Sequence, residues 1–546
     1  MRALKQLLTV TLLLAVCAGL WISFHYTFAA YSLDGDTAVF PMLWHGWREH
    51  GFAFFRTWRF TQDNWLLSPA PFVFLVCYIF GVTGYTVLGL GWVFFVINAV
   101  LLAVLIRFLS GRWSAASLVA LCLGLFASQS AIKDGYLAYI VCHNSSMAWA
   151  FIAFISAAYA IEKHNKINAF TLGAIVFLAG VSDPWFNAAC TLPIVMVLLA
   201  LCIKKRQYRR PALNLLLGTM TGWALAYTRG LGLLSFSPKN SFHLISSRGQ
   251  FMVNAHTYLA ALGVFFPVLR SWAWNHMAGA VFAIISLFLA FQLVRHLARH
   301  AITLTARQAM ITGFFLVSIL VMSAAFLILA VDRGDYRYLV NIYYGLLSLG
   351  VFIFAWQWRA MPAFSRWAVC LWVFIFIAAG AASGPAAWEN RVEINDNGAL
   401  ALAGFLEQNG LRYGYGDYWA APANTISWIS GYRVVVRPVS LEYDPAANPA
   451  MPLFFMPRQH EISSLWFRPR DSANQRRFFL ILGMNGRPFE VVSKENVIGQ
   501  FNYYGLLALA EEQFGRPDES LAFENHIILV WDHPIVQALP QAASAG

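Results

Sequence analysis

Val87-Leu88-Gly89-Leu90-Gly91-Trp92-Val93-Phe94-Phe95-Val96-Ile97-Asn98-Ala99-Val100-Leu101-Leu102-Ala103-Val104-Leu105-Ile106 runs without one charged residue, over the length a helix needs to cross the hydrocarbon core of a bilayer. A soluble domain breaks such a run with charges, so one membrane span is fixed and the rest of the chain can be read outward from it. Of the 546 residues 59% are hydrophobic and only 12% charged, a balance that fits no soluble globular class. The formal net charge of +12 does not point to nucleic acid. Lys204, Lys205, Arg206, Arg209 and Arg210 stand between two apolar runs, where basic residues mark the cytoplasmic side of a membrane protein. The cysteines (Cys17, Cys77, Cys122, Cys142, Cys190, Cys202 and Cys370) all lie in or beside apolar segments, without a CxxC, and are expected to pack rather than to form disulfides or bind zinc.

Apolar segments recur at about 7–29, 86–106, 114–131, 147–161, 167–182, 186–203, 211–228, 273–294, 309–331, 336–355 and 367–383, which predicts about eleven transmembrane helices. Two more stretches, 71–81 and 251–269, would raise the count to about thirteen. Basic residues decide between the two. With the smaller number and a cytoplasmic N-terminus, Arg107, Arg112, Lys163, Lys166, the Lys204–Arg210 cluster, Arg295, Arg299, Arg307, Arg359 and Arg366 all lie inside. The stretch 71–81 is then an interfacial or re-entrant helix, and 251–269 something similar. Arg2 and Lys5 ahead of the first apolar run resemble a signal peptide. The run continues to Phe28, however, so it is read as a retained anchor.

The expected fold is thus a polytopic α-helical membrane domain, residues 1–383, with a large first outer loop at 30–85. An extracytoplasmic α/β domain, residues 384–546, follows it. In this tail β-rich runs at Leu411–Tyr415, Tyr432–Val439, Phe478–Leu482 and Ile527–Trp531 alternate with helical stretches at 396–408 and 503–513. Its aromatic residues, Tyr413, Tyr415, Tyr418, Trp419 and Trp428 among them, are expected mainly to pack on the membrane part.

Polar chemistry gathers on the outer side. Asp34-Gly35-Asp36 follows the first span directly. In an extended segment the two carboxylates point the same way and can share a cation such as Mg2+ or Mn2+, and either alone can take a proton from an attacking hydroxyl. The glycine between them is expected to let the backbone approach a substrate. Before a late span stands Asp332-Arg333-Gly334-Asp335-Tyr336-Arg337-Tyr338-Leu339. There Arg333 or Arg337 can hold phosphate oxygens in a planar fork that keeps its charge. Further outward candidates are Lys133, His143, Asp183, Arg229 and Arg248. Arg56, Arg59 and Asp63 of the first loop belong to the same outward set, most of which is read as bystanders, and Asp183-Pro184 is read as a break between helices. Asn144-Ser145-Ser146 is a glycosylation sequon close to a span. No charge stands in the middle of the spans, whereas ion- and proton-coupled transporters place ionisable groups there.

This arrangement resembles the GT-C superfamily of membrane glycosyltransferases, in particular the branch of the protein mannosyltransferases and the aminoarabinose transferase of lipid A. The points of likeness are Leu33-Asp34-Gly35-Asp36 in a large first outer loop, Ser68-Pro69-Ala70-Pro71-Phe72 closing that loop, and Arg337-Tyr338-Leu339 entering a late span. The tail segment Gly410-Leu411-Arg412-Tyr413-Gly414-Tyr415-Gly416-Asp417-Tyr418-Trp419 also looks like the periplasmic tails of bacterial members. Many relatives carry an Asp-Glu pair where this chain has Asp34-Gly35-Asp36. The resemblance implies a sugar donor on a polyprenyl phosphate and transfer at the outer face of a bacterial inner membrane. The acceptor would be a lipid, polysaccharide or protein hydroxyl, with inversion at the anomeric carbon. Asp34 or Asp36 would act as base, and Arg337, with Arg333 or Lys133, would stabilise the leaving phosphate. The competing readings are a lipid or glycan transporter and a non-catalytic membrane scaffold.

Overall fold

A computed structural model of the chain describes residues 2–110, 115–163, 166–229, 244–245, 247–266, 281–288, 291–292, 295, 305–329, 336–357, 363–382, 393–419, 422–444, 453–468, 475–483, 489–493, 496–501 and 503–539. Six helices are long and apolar enough to cross a membrane: Thr9–Ala30, Gly84–Leu109, Asn144–Lys163, Asn187–Lys204, Ala306–Ile328 and Ala363–Ala381. Each falls on a segment whose hydropathy predicts a span. Of the other expected spans, 167–182 forms the helix Lys166–Ser182, 211–228 the helix Arg209–Tyr227 and 336–355 the helix Val340–Gln357. The one at 273–294 lies largely outside the described residues. The segment 114–131 departs from expectation. Its helix, Ala115–Leu125, stops after 11 residues, and Ser128 then caps a separate short helix, Gln129–Lys133, by accepting from the Ala131 amide at 3.1 Å.

Backbone packing within the helical part is tight where side chains are small. Gly218 and Gly222 of Arg209–Tyr227 lie against the carbonyls of Ala169 and Gly173 on Lys166–Ser182, leaving no room for a Cβ. This is the close approach that small residues four apart permit between membrane helices.

The first helix, α1 (Arg2–Ala30), leads into the first loop, which holds two short helices, α2 (Val39–His50) and α3 (Ala53–Thr57). The stretch expected to be interfacial is α4 (Ala70–Phe80). At 1.5 Å per residue it reaches about 17 Å, roughly half a hydrocarbon core. The charge-free run Val87–Ile106 is the core of α5 (Gly84–Ser110). The stretch 251–269 forms the helix Arg248–Phe265.

The tail is an α/β unit. Its strands are β1 (Tyr413–Gly416), β2 (Val435–Tyr443), β3 (Leu453–Pro457), β4 (Phe478–Gly483), β5 (Phe489–Ser493), β6 (Asn496–Phe501), β7 (Glu519–Phe523) and β8 (His526–Trp531), in the order β6-β5-β2-β1-β4-β8-β7, with β3 paired to β2. β1 lies parallel to both β2 and β4. Side-chain alternation splits β4 between two cores. Phe478, Leu480 and Leu482 face the helix Tyr503–Phe514, while Phe479 and Ile481 face the helices Ala399–Gln408 and Ala423–Ile429. The chain leaves β1 to one side for β2 and returns on its other side as β4. The carboxyl end of β1 is therefore the point where connections diverge, the usual place for functional groups in open α/β sheets.

Tail and membrane part share one apolar core, which takes in Trp428, Ile462 and Trp466. Trp428 donates its indole N–H to the Val82 carbonyl at 3.0 Å. The two parts are also joined through backbone: Arg59 donates to the Ile462 carbonyl at 2.8 Å, Glu461 donates to the Arg59 carbonyl at 2.6 Å, and Leu33 donates to Asn395 at 2.7 Å.

Candidate functional site

The loop after α1 is wound by its own polar groups. Thr37 N–H donates to Asp34 Oδ1 at 2.9 Å, and Asp34 N–H donates to Thr37 Oγ1 at 2.8 Å. Two more residues fix Asp34 from outside the loop. Tyr139 donates its phenol to Oδ1 at 2.8 Å, and Thr425 of the tail donates to the Asp34 carbonyl at 2.6 Å. Asp36 has a different partner: Tyr418, just beyond the carboxyl end of β1, donates to its Oδ1 at 3.0 Å.

The Asp-Gly-Asp spacing acquires its reason here. A Cβ on Gly35 would lie 2.5 Å from the Tyr418 ring, so position 35 is small because an aromatic ring of the tail presses on it. That replaces the expectation that the glycine makes room for a substrate.

Charge converges on Asp36. Burial pushes its carboxyl well above the ordinary carboxylate range. Glu461 and Asp34 add to the rise, and Arg337 and Arg458 oppose it. Asp34 is raised by burial as well, with the hydrogen bonds from Thr37 and Tyr139 pulling the other way. Arg458 of the tail lies 3.6 Å over the Tyr418 ring and pairs with the buried Glu461 at 2.9 Å. Burial also keeps the Tyr418 phenol protonated, so it remains a donor.

Arg337 belongs to the 3-10 turn Tyr336–Leu339 and acts on both Asp36 and Asp63. Asp63, on sequence one of the outward polar groups of the first loop, is raised by burial, with Arg337 as the first charge opposing that rise. Its loop is tied to the end of Lys166–Ser182. Asn64 donates to the Val181 carbonyl at 2.8 Å, Trp65 to the Ser182 carbonyl at 3.1 Å and Leu67 to Ser182 Oγ at 2.9 Å.

His143 and Asp183 also come together, which separation in sequence hides. His143 Nδ1 lies 2.9 Å from Asp183 Oδ2, and both side chains are buried. Ser146 donates to the same oxygen at 2.5 Å, and Trp185 N–H donates to Asp183 Oδ1 at 3.0 Å. Asp183 therefore ties the start of the helix Asn144–Lys163 to its own turn, more than the helix break read from Asp183-Pro184. The His143 ring stacks on Trp185, whose indole donates to the Tyr338 carbonyl at 2.8 Å and so fixes the turn that carries Arg337. Asn144, the sequon residue, is buried with its amide donating to the carbonyls of Tyr136 and Leu137.

Of the remaining candidates, Lys133, Arg229 and Arg248 are not part of this convergence. Lys133 is exposed at the end of its helix. Arg248 is exposed at the start of Arg248–Phe265, and Arg229 follows Arg209–Tyr227 in a left-handed conformation at φ 52°. Arg333 lies outside the described residues. Asp34 and Asp36 spend an oxygen each on different phenols, and among the described residues no three His, Cys, Asp or Glu side chains cluster as ligands. All seven cysteines are free thiols.

Beside the loop bearing Asp63 lies an apolar cavity of about 950 Å3 between α2, α3 and α4, lined by Trp44, Trp47, Phe55, Leu66, Phe74 and Leu75 among others, with Arg56 at its wall. Sequence reasoning missed it, because its walls come from three short helices that are individually unremarkable.

No protein-family model matches the chain, and no curated protein does. Among solved structures the chain is similar to an oligosaccharyltransferase of Archaeoglobus fulgidus, described as tethered to an acceptor peptide containing the NVT sequon. The likeness has 13% identity and a TM-score of 0.42, and covers 78% of this chain and 63% of that one. At that level of likeness it implies no activity for this chain.

Proposed function

We propose that the chain is a membrane glycosyltransferase of GT-C type, which moves a sugar from a polyprenyl-phosphate donor to an acceptor hydroxyl at the outer face of a bacterial cytoplasmic membrane. The observation that carries this reading is Asp36: a carboxylate made basic by its surroundings, next to the end of an apolar helix, with the guanidinium of Arg337 acting on it. A base and a phosphate-binding cation in one place are what such a transfer needs.

Asp36 is the better base of the pair, because Asp34 Oδ1 already accepts from both Tyr139 and the Thr37 amide. In the transfer, Asp36 takes the acceptor's hydroxyl proton. The hydroxyl oxygen then bonds to the anomeric carbon as the bond from that carbon to the phosphate oxygen breaks. The electron pair leaves on the phosphate, where Arg337 balances the new charge. Attack opposite the leaving group inverts the configuration. The apolar cavity between α2, α3 and α4, with Arg56 in its wall, offers room for a prenyl chain within a few residues of Asp63.

The test compares envelope glycolipids and polysaccharides of a strain lacking this chain with those of its parent. One sugar substituent should be lost, and should return with the parent gene but not with Asp36→Asn. Identical envelopes in strain and parent would reject the reading.

A further inference from the structure

The groups that hold Asp36 in place come from the far end of the chain. Tyr418 is 382 positions from Asp36, and its ring fills the space that a side chain at position 35 would need. Arg458 covers that ring at 3.6 Å and is held in turn by Glu461 Oε2 and by the His460 carbonyl, at 2.9 and 2.8 Å. Glu461 is buried in a left-handed conformation at φ 58°. That strain persists in a non-glycine residue only where surroundings over-determine it. Here they do: its N–H donates to Arg59 at 2.6 Å, its carbonyl accepts from Asn424 at 3.2 Å, and its carboxylate holds Arg458. Thr57 and Ser463 pair their hydroxyls at 2.9 Å on the same seam. The whole set stands at the carboxyl end of β1, where the sheet's connections diverge.

We infer that the C-terminal domain forms one wall of the site, with Tyr418 as the residue that positions Asp36 and the Arg458–Glu461 pair as the clamp that positions Tyr418. The role in transfer rests on the function proposed above, whereas the contact itself does not. Among the described residues several elements take part in the balance around Asp36: Asp34 in its own loop, Tyr139 in the loop before the helix Asn144–Lys163, Arg337 in the 3-10 turn, and Tyr418, Arg458 and Glu461 in the tail. The tail is thereby a component of the reacting centre, and its removal would leave the carboxylate without its orienting donor.

The test uses the full chain in lipid nanodiscs with an ortho-fluorotyrosine at position 418, read by fluorine NMR, and undecaprenyl phosphate as the probe. Asp36→Asn should move the resonance, and Arg433→Ala, at an exposed pair with Glu407, should not. Undecaprenyl phosphate should move it in the parent and fail to do so in Arg337→Ala. A resonance indifferent to Asp36→Asn overturns the inference. A resonance that responds to Asp36→Asn and ignores undecaprenyl phosphate upholds the wall and rejects the polyprenyl-phosphate reading instead. In turnover, Tyr418→Phe keeps the ring over Gly35 and removes only the donor. It should lower kcat by roughly tenfold with donor KM unchanged, the mark of a misplaced base. Parent-like kcat in Tyr418→Phe would reject the positioning role.

Discussion

Replacing Gly35 with alanine tests the seam without removing any polar group. The new Cβ would lie 2.5, 2.7 and 2.8 Å from three carbons of the Tyr418 ring, whereas carbon contacts settle at about 3.5 Å or more. The ring must retreat by about 1 Å, which stretches the 3.0 Å bond from Tyr418 to Asp36 past hydrogen-bond range. Retreat is resisted, because Arg458 lies at 3.6 Å over the same ring and is itself clamped by Glu461. Overpacking of this kind costs about 1–3 kcal/mol, and the lost hydrogen bond about 1 kcal/mol more. Gly35→Ala should therefore destabilise the seam by about 2–4 kcal/mol. Denaturant unfolding of the full chain in detergent, followed by tryptophan fluorescence, can read this, because Trp58, Trp428 and Trp466 all sit in the shared core. Parent-like stability in Gly35→Ala would show that the ring is not where the reasoning needs it.

Three further outcomes follow from the same contacts. Arg337→Ala should weaken undecaprenyl phosphate binding by roughly ten- to a hundredfold, the worth of a charge-assisted phosphate contact; equal affinity in a nanodisc binding assay would dismiss that role. Burial, Glu461 and Asp34 lift the Asp36 carboxyl, so a reaction that needs it ionised should lose rate as pH falls through a value above the ordinary aspartate range of about 4. An acid limb at or below the ordinary value would contradict the raised state. Asp183→Ala leaves His143, Ser146 and the Trp185 amide without their common acceptor and should cost about 1–3 kcal/mol for each buried donor that finds no other partner. The same unfolding assay would detect that loss, and its absence would mean that the junction is not held as drawn.

The membrane helices are legible because hydropathy acts on length alone: the run from Val87 to Ile106 predicts α5 without reference to any partner. The tail's central strands are legible for a related reason, since Phe478–Leu482 is an unbroken β-rich run buried on both faces. The strands β3, β5, β6 and β7 are not, because each is only five or six residues long and too short to show a period of its own apart from the partner it pairs with. The site divides in the same way. Asp34, Asp36 and Arg337 stand out as charges at the ends of apolar runs. Arg458 and Glu461 carry no local signal, and Asp63 and Tyr418 are visible only as a loop acid and a packing aromatic, because what makes them notable is contact with segments that folding brings from elsewhere in the chain. Gly35 is the instructive case: its smallness is visible in the sequence, but the ring that demands it is Tyr418. His143 and Asp183, both outward-facing on sequence, prove to be one buried pair only once the helices pack.

The account stands or falls on whether Asp36 and Arg337 work together in sugar transfer. The most direct measurement is the release of undecaprenyl phosphate from undecaprenyl-phosphate sugar donors by the purified full chain in nanodiscs, alongside Asp36→Asn and Arg337→Ala at matched amounts of folded protein. The account predicts turnover by the parent, a loss of at least roughly a hundredfold in kcat for Asp36→Asn, and a raised donor KM for Arg337→Ala. Turnover in both variants equal to that of the parent would contradict it.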